Sequence, residues 1–173
     1  HKGEEIILVK ADKIEQYRRL AKQLDEVILF KDLTIEQKLE IMENSRRERF
    51  KKGEVILKLG EPAKKFYIIH SGEVEIVTTD NRKIYLGKGD YFGEMAFFKE
   101  DKTRNATVYA KTDVELLSLA ENKFMKYKDQ IFGTYQNIVE NRPLLSKISF
   151  FKMLSEREIN ALSALFINKR YNK

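Results

Sequence analysis

The 173-residue chain has no cysteine, which excludes disulfides and thiolate metal sites and fits a cytoplasmic protein. Histidine is almost as scarce. His1 and His70 are the only two, too few for the imidazole and carboxylate ligands of a metal-dependent enzyme on a β-barrel. Neither a metal nor a catalytic residue is therefore expected. No apolar run approaches the ~18 residues that suggest a membrane span. The first residues, His1-Lys2-Gly3-Glu4-Glu5, lack the apolar core of a secretory signal.

What the chain does contain is an ordinary globular composition, 42% hydrophobic and 11% aromatic, long enough for one packed domain and a further fragment. The net charge is +6, from 33 Lys and Arg against 27 Asp and Glu. The densest basic run is Arg46-Arg47-Glu48-Arg49-Phe50-Lys51-Lys52. Its alternation suits the solvated side of a strand, and no second basic cluster or aromatic platform accompanies it, so no nucleic-acid partner is expected.

Ile14, Tyr17, Leu20, Ala21 and Leu24 recur at helical spacing behind Asp12, a cap residue, and Ile35, Leu39 and Met42 share a face after Thr34. The pattern changes at Arg46. From there to Ala120, β-branched and aromatic residues come in short runs divided by Gly53, Gly60, Gly72, Gly87 and Gly89, the punctuation of short strands and tight turns. Val74 and Ile76 alternate with Glu73 and Glu75, and the strand pairs across Asp80-Asn81 with Lys83-Ile84-Tyr85-Leu86. Helical spacing returns with Phe124, Met125 and Tyr127, then Phe132, Tyr135, Ile138 and Val139, and Pro143 is expected to end or kink the last helix. This order predicts an α+β fold, a jelly-roll-like β-roll of about eight short strands flanked by N-terminal and C-terminal helices.

One segment carries chemistry. In Tyr91-Phe92-Gly93-Glu94-Met95-Ala96-Phe97-Phe98, followed by Arg104-Asn105-Ala106-Thr107-Val108, Gly93 allows the backbone to approach a ligand. The next amides attract anions, and Arg104 can fork onto phosphate oxygens. Glu94 would oppose a phosphate beside it and is better placed one step away, accepting from a ribose hydroxyl.

These residues resemble the phosphate-binding cassette of cyclic-nucleotide-binding domains, in particular the tandem regulatory parts of cAMP- and cGMP-dependent protein kinases. Lys52-Gly53-Glu54-Val55-Ile56, Leu59-Gly60-Glu61-Pro62, Phe66-Tyr67-Ile68-Ile69 and Ser71-Gly72-Glu73-Val74-Glu75 match the same pattern in order and spacing. The resemblance implies that Glu94 binds the ribose 2′-hydroxyl and Arg104 the cyclic phosphate. The backbone of Gly93, Met95, Ala96 and Ala106 completes the cradle. Three features depart from the kinase pattern. The stretch from Ala96 to Arg104 is one residue longer. Asn105 follows the arginine where relatives carry Ala, Thr or Ser, so its amide either reads a syn guanine or serves only the loop backbone. His70 stands where several relatives place the acidic partner of the arginine; a neutral His accepts from Arg104, a protonated one repels it, and a purely structural role is the other reading. The aromatic pair Phe97-Phe98 reads as packing. Arg157 occupies the position of an aromatic base cap and can stack on a purine.

Leu29-Phe30-Lys31-Asp32-Leu33-Thr34 lines up with Phe150-Phe151-Lys152-Met153-Leu154-Ser155, one domain length later. The expected organisation is an N-terminal helical element (1–45), a β-roll (46–120) with the cassette at 91–108, C-terminal helices (121–145), and the truncated start of a second cyclic-nucleotide-binding domain (146–173). The expected function is that of a non-catalytic regulatory module. It binds cGMP in preference to cAMP, without a cofactor, and controls a protein kinase on the same or a separate chain. A degenerate fold serving as a spacer is the alternative.

Overall fold

The computed structural model describes residues 14–15, 18–19, 22–145 and 154–165. Helical residues at 22–25 lead through a 3-10 turn (Ile28–Phe30) into helix α1 (Ile35–Asn44), which starts with a reciprocal cap: Gln37 N–H donates to Thr34 Oγ1 and Thr34 N–H to Gln37 Oε1. Leu24, Val27, Leu29 and Phe30 are each at most 1% exposed. Asp12, Tyr17, Leu20 and Ala21 lie outside the described residues. The expected face of α1 is corrected at its first position. Met42 is buried and Leu39 half-buried, but Ile35 is exposed because it precedes the turn that meets the core.

Eight strands follow: β1 (Arg46–Phe50), β2 (Val55–Leu57), β3 (Lys65–Ser71), β4 (Val74–Thr78), β5 (Lys83–Leu86), β6 (Tyr91–Phe92), β7 (Ala106–Ala110) and β8 (Val114–Ala120). They form two antiparallel sheets, β1-β8-β3-β6 and β2-β7-β4-β5. The expected hairpin is present, with Val74 opposite Leu86 and Ile76 opposite Ile84. Strand β3 shows no alternation of polarity because both its faces are buried. Phe66 and Ile68 face a core shared with the helices, while Tyr67 and Ile69 face a core between the sheets. The basic run lies mostly on exposed edge strand β1, where Arg47 and Arg49 share Glu115.

Helices α2 (Glu121–Met125) and α3 (Lys128–Leu145) return across the open end of the roll. Phe66 joins them to the N-terminal block, with its ring 5.6 Å from Phe30 and 4.8 Å from Phe124. Pro143 does not end α3, which is described past it to Leu145. Helix α4 (Glu156–Leu165) begins 121 positions after α1 and repeats its cap: Glu158 N–H donates to Ser155 Oγ and Ser155 N–H to Glu158 Oε1. The two aligned positions, Thr34 and Ser155, thus start their helices in the same way. Phe150, Phe151 and Phe166 lie outside the described residues.

Candidate nucleotide site

Strand β6 stops at Gly93, whose φ of +95° turns the chain sharply into a second 3-10 turn (Met95–Phe98). Arg104 closes the far side. Its Nη1 donates to Gly93 O at 2.9 Å and its Nη2 to Lys65 O at 2.6 Å. The guanidinium lies 5.9 Å from the Phe97 ring centre. Its backbone is pinned too, since Arg104 N–H donates to Glu61 O and its carbonyl accepts from Gly60 N–H. A Cβ on Gly93 would sit 2.9 Å from Arg104 Nη1 and 3.2 Å from Lys65 O, so glycine is required here by both space and φ.

The loop from Ala96 to Arg104 is held in shape just before the arginine. Asp101 accepts from both the N–H and Oγ1 of Thr103, and Lys102 takes a φ of 48°. Lys102 O accepts from Ala63 N–H at 2.8 Å, so the loop regains register with the β2–β3 connection.

Arg104 is 5% exposed and is the one buried charged side chain among the described residues. None of those residues offers it a carboxylate at ion-pair distance. Burial, above all, lowers its pKa from the ordinary arginine value, while Tyr67, Glu94 and Glu61 pull the other way. Glu94 is half-buried, and burial pushes its carboxyl up to about 7, opposed by its own backbone N–H and then by Arg142 and Arg104. The N–H groups of Met95 and Ala96 meet no acceptor among the described hydrogen bonds, whereas Phe97 N–H donates back to Glu94 O. Ala106 begins β7 opposite Thr78, and Asn105 between it and Arg104 is exposed. Gly93, Glu94, Met95, Ala96, Arg104, Asn105 and Ala106 thus lie on one turn and the strand start beside it.

His70 and Arg157 are placed elsewhere. His70 Nδ1 lies 2.8 Å from Gln23 Oε1 and its Nε2 3.9 Å from Glu115, so its contacts are with the N-terminal helix and β8 and not with Arg104. Arg157 Nη1 pairs with Glu26 at 3.4 Å and lies against Gly89, two residues before β6. Phe97 is buried and Phe98 stacks on Tyr135 at 4.2 Å, which makes both packing residues.

Sequence reading missed Arg142. Its positive charge pulls the Glu94 carboxyl down, and it donates to Asn160 Oδ1 at 2.8 Å and to the Glu156 carboxylate, both on α4. Nothing in the local pattern singles out this arginine. Its influence on Glu94 follows from the packing of α3 against the cassette, where Tyr135 stacks on Phe98.

Residues 47–130 match the family model of the cyclic nucleotide-binding domain. The chain belongs to this family. It is 32% identical over 122 residues to a cGMP-dependent protein kinase of Toxoplasma gondii, covering 70% of this chain and 12% of that protein. It is 34% identical over 142 residues to a cAMP-dependent protein kinase regulatory subunit of Emericella nidulans, covering 80% and 33%. The chain thus spans a third or less of these relatives. Among solved structures, it resembles the guanosine-bound regulatory subunit of a cAMP-independent protein kinase A from Trypanosoma cruzi, with 24% identity, a TM-score of 0.65, and coverage of 73% of this chain and 47% of that one. Cyclic-AMP-bound PfPKA-R gives 24%, 0.64, 87% and 54%. These two likenesses establish the shared fold. Among the described residues, no helix is long and apolar enough to cross a membrane, and no cluster of His, Cys, Asp or Glu suits a metal ion.

Proposed function

We propose that the chain is a regulatory module that binds a cyclic nucleotide, cGMP in preference to cAMP, and passes its occupancy to a protein kinase on the same or a separate chain. One observation carries the reading: the buried Arg104 guanidinium has no anionic partner among the described residues. A buried cation without a counter-charge is costly. Two carbonyls occupy two of its five N–H donors, and a phosphate would take others together with the free amides of Met95 and Ala96. Glu94 then accepts the ribose hydroxyl in either protonation state. The intact arginine and glutamate argue against a spacer that has lost its ligand. The preference for cGMP is supported by Asn105, whose exposed amide carries the donor and acceptor that a guanine edge offers in complement. The repeated cap of α4 supports a second domain of the same kind following the first.

The binding reading is tested by melting the chain with cGMP, cAMP or linear 5′-GMP. A ligand that binds only the folded state raises Tm according to its affinity. Both cyclic nucleotides are expected to raise it, cGMP more, and 5′-GMP little; no shift with either cyclic nucleotide would overturn the reading. Asn105→Ala is expected to cost cGMP ~0.5–1.5 kcal/mol, one neutral hydrogen bond, and to leave cAMP almost unchanged. Equal losses would confine Asn105 to shaping the loop.

Transmission would run from the cassette through Phe98 and Tyr135 to α3, and from Glu94 through Arg142 to α4. Arg142→Ala should therefore leave nucleotide affinity within a few-fold but remove the ligand-dependent change in amide exchange across 156–165. An undiminished ligand response in that variant would exclude Arg142 from the path.

A further inference from the structure

Lys126 and Tyr127 form the two-residue corner between α2 and α3, and one carboxylate of α1 holds both. The Tyr127 hydroxyl donates to Glu40 Oε2 and Lys126 Nζ to Glu40 Oε1. The Tyr127 ring is only 4% exposed and packs in the same core as Phe124 and Ile131, so its oxygen cannot swing to another partner. The contacts leave their mark on the acid: Lys126 first and Tyr127 second hold the Glu40 carboxyl below its usual range. Seven residues further on, buried Thr134 donates to Asp32 Oδ2 at 3.2 Å. The first turns of α3 are thus fastened to the N-terminal block at two points, whereas Asn141 and Arg142, near the helix end, bond to α4.

The corner also bears on the cassette. Phe124, three residues before Tyr127, lies 5.2 Å from Phe97 and 6.2 Å from Phe98, the two aromatic rings of the cassette turn. Phe97 in turn lies under Arg104. A displacement of the corner is therefore felt at the phosphate-facing side of the site through two ring contacts.

We propose that Glu40 is a positioning residue for the nucleotide site: by holding the α2–α3 corner against α1, it fixes the ring on which the cassette turn rests and makes α1 part of the site's frame. This deepens the nucleotide-binding reading and rests on it. The two bonds differ in weight. Lys126 and Glu40 are 55% and 37% exposed, and ion pairs so exposed contribute little. The phenol-to-carboxylate bond is charge-assisted, with its donor held in place by a buried ring, so the hydroxyl carries the effect.

Tyr127→Phe deletes only that hydroxyl, and Glu40→Ala deletes its acceptor. Each variant is expected to bind cGMP and cAMP about three- to tenfold more weakly, the range for one lost hydrogen bond. The double variant should lose no more than the weaker single one, because both changes remove the same contact. Glu40→Gln keeps an acceptor for the phenol and should recover most of the affinity. Amide exchange across 126–134 should quicken in Tyr127→Phe. Affinities within twofold of the parent in both single variants, or losses that add in the double, would overturn the proposal, since a merely structural contact would lower Tm and leave affinity alone. If the parent bound neither nucleotide, the binding reading itself would fail; unchanged exchange across 126–134 in Tyr127→Phe would then count separately against the tie.

Discussion

Arg104→Ala abolishes measurable binding of cyclic nucleotide while the domain stays folded: that is the largest effect expected of any single substitution. The guanidinium is buried beside Gly93, bonded among the described residues only to the carbonyls of Gly93 and Lys65, and lies over Phe97. Truncating one member of a buried, hydrogen-bonded charge pair costs ~2–5 kcal/mol or more, which is at least about thirtyfold in affinity. The folded state loses two hydrogen bonds but also sheds the cost of burying an unpaired cation, and these changes oppose each other. Arg104→Lys should fail almost as badly, because a point charge cannot bond two carbonyls and a phosphate in one plane. Isothermal titration of both variants, with circular dichroism to confirm folding, checks this. Retained affinity in folded Arg104→Ala would remove the arginine from the site.

Gly93→Ala should have the second largest effect, and through a different cause. At a φ of +95°, an L-residue is strained by about 1–3 kcal/mol. The added methyl would also press on Arg104 Nη1 at 2.9 Å and the Lys65 carbonyl at 3.2 Å. Backbone cannot yield as a flexible side chain can, so the guanidinium should be displaced and the Gly93 carbonyl turned away from it. Affinity is expected to fall at least about tenfold together with Tm, unlike in Arg104→Ala, where affinity falls with little change in Tm. A Gly93→Ala variant with parental affinity would mean that the cassette turn tolerates rearrangement and does not depend on this approach.

Much of the architecture could be read from residue order because its causes are local. The spacing of Val74, Ile76 and Leu86 around Asp80-Asn81 specifies a hairpin, and Thr34 with Gln37 specifies a helix start. Gly93 followed by Glu94, with Arg104 beyond, specifies a tight turn with an arginine against it. The burial of Phe97 followed for the same reason, since an apolar pair in a tight turn has the core as its natural destination. What could not be read depends on packing between distant elements. Arg142 acts on the Glu94 carboxyl only because α3 packs against the cassette, and Glu40 bonds Tyr127 across 87 positions. His70 was tied to Arg104 by analogy, yet the ring lies between Gln23 and Glu115, because the side chains available around it are set by the N-terminal helix and β8. Arg157 shows the same limit: it reaches Glu26 and Gly89, contacts that depend on how α4 docks. Pro143 was expected to end or kink its helix, and α3 is described past it to Leu145, so it does not end there.

The proposed ligand is a cyclic nucleotide bound at the cassette turn with its phosphate on Arg104. Calorimetric titration of the unmodified chain with cGMP and cAMP in parallel tests it most directly. One-to-one binding of both, tighter for cGMP and absent for each in Arg104→Ala, is the expected result; no heat of binding with either nucleotide, or binding that survives the loss of Arg104, would contradict it.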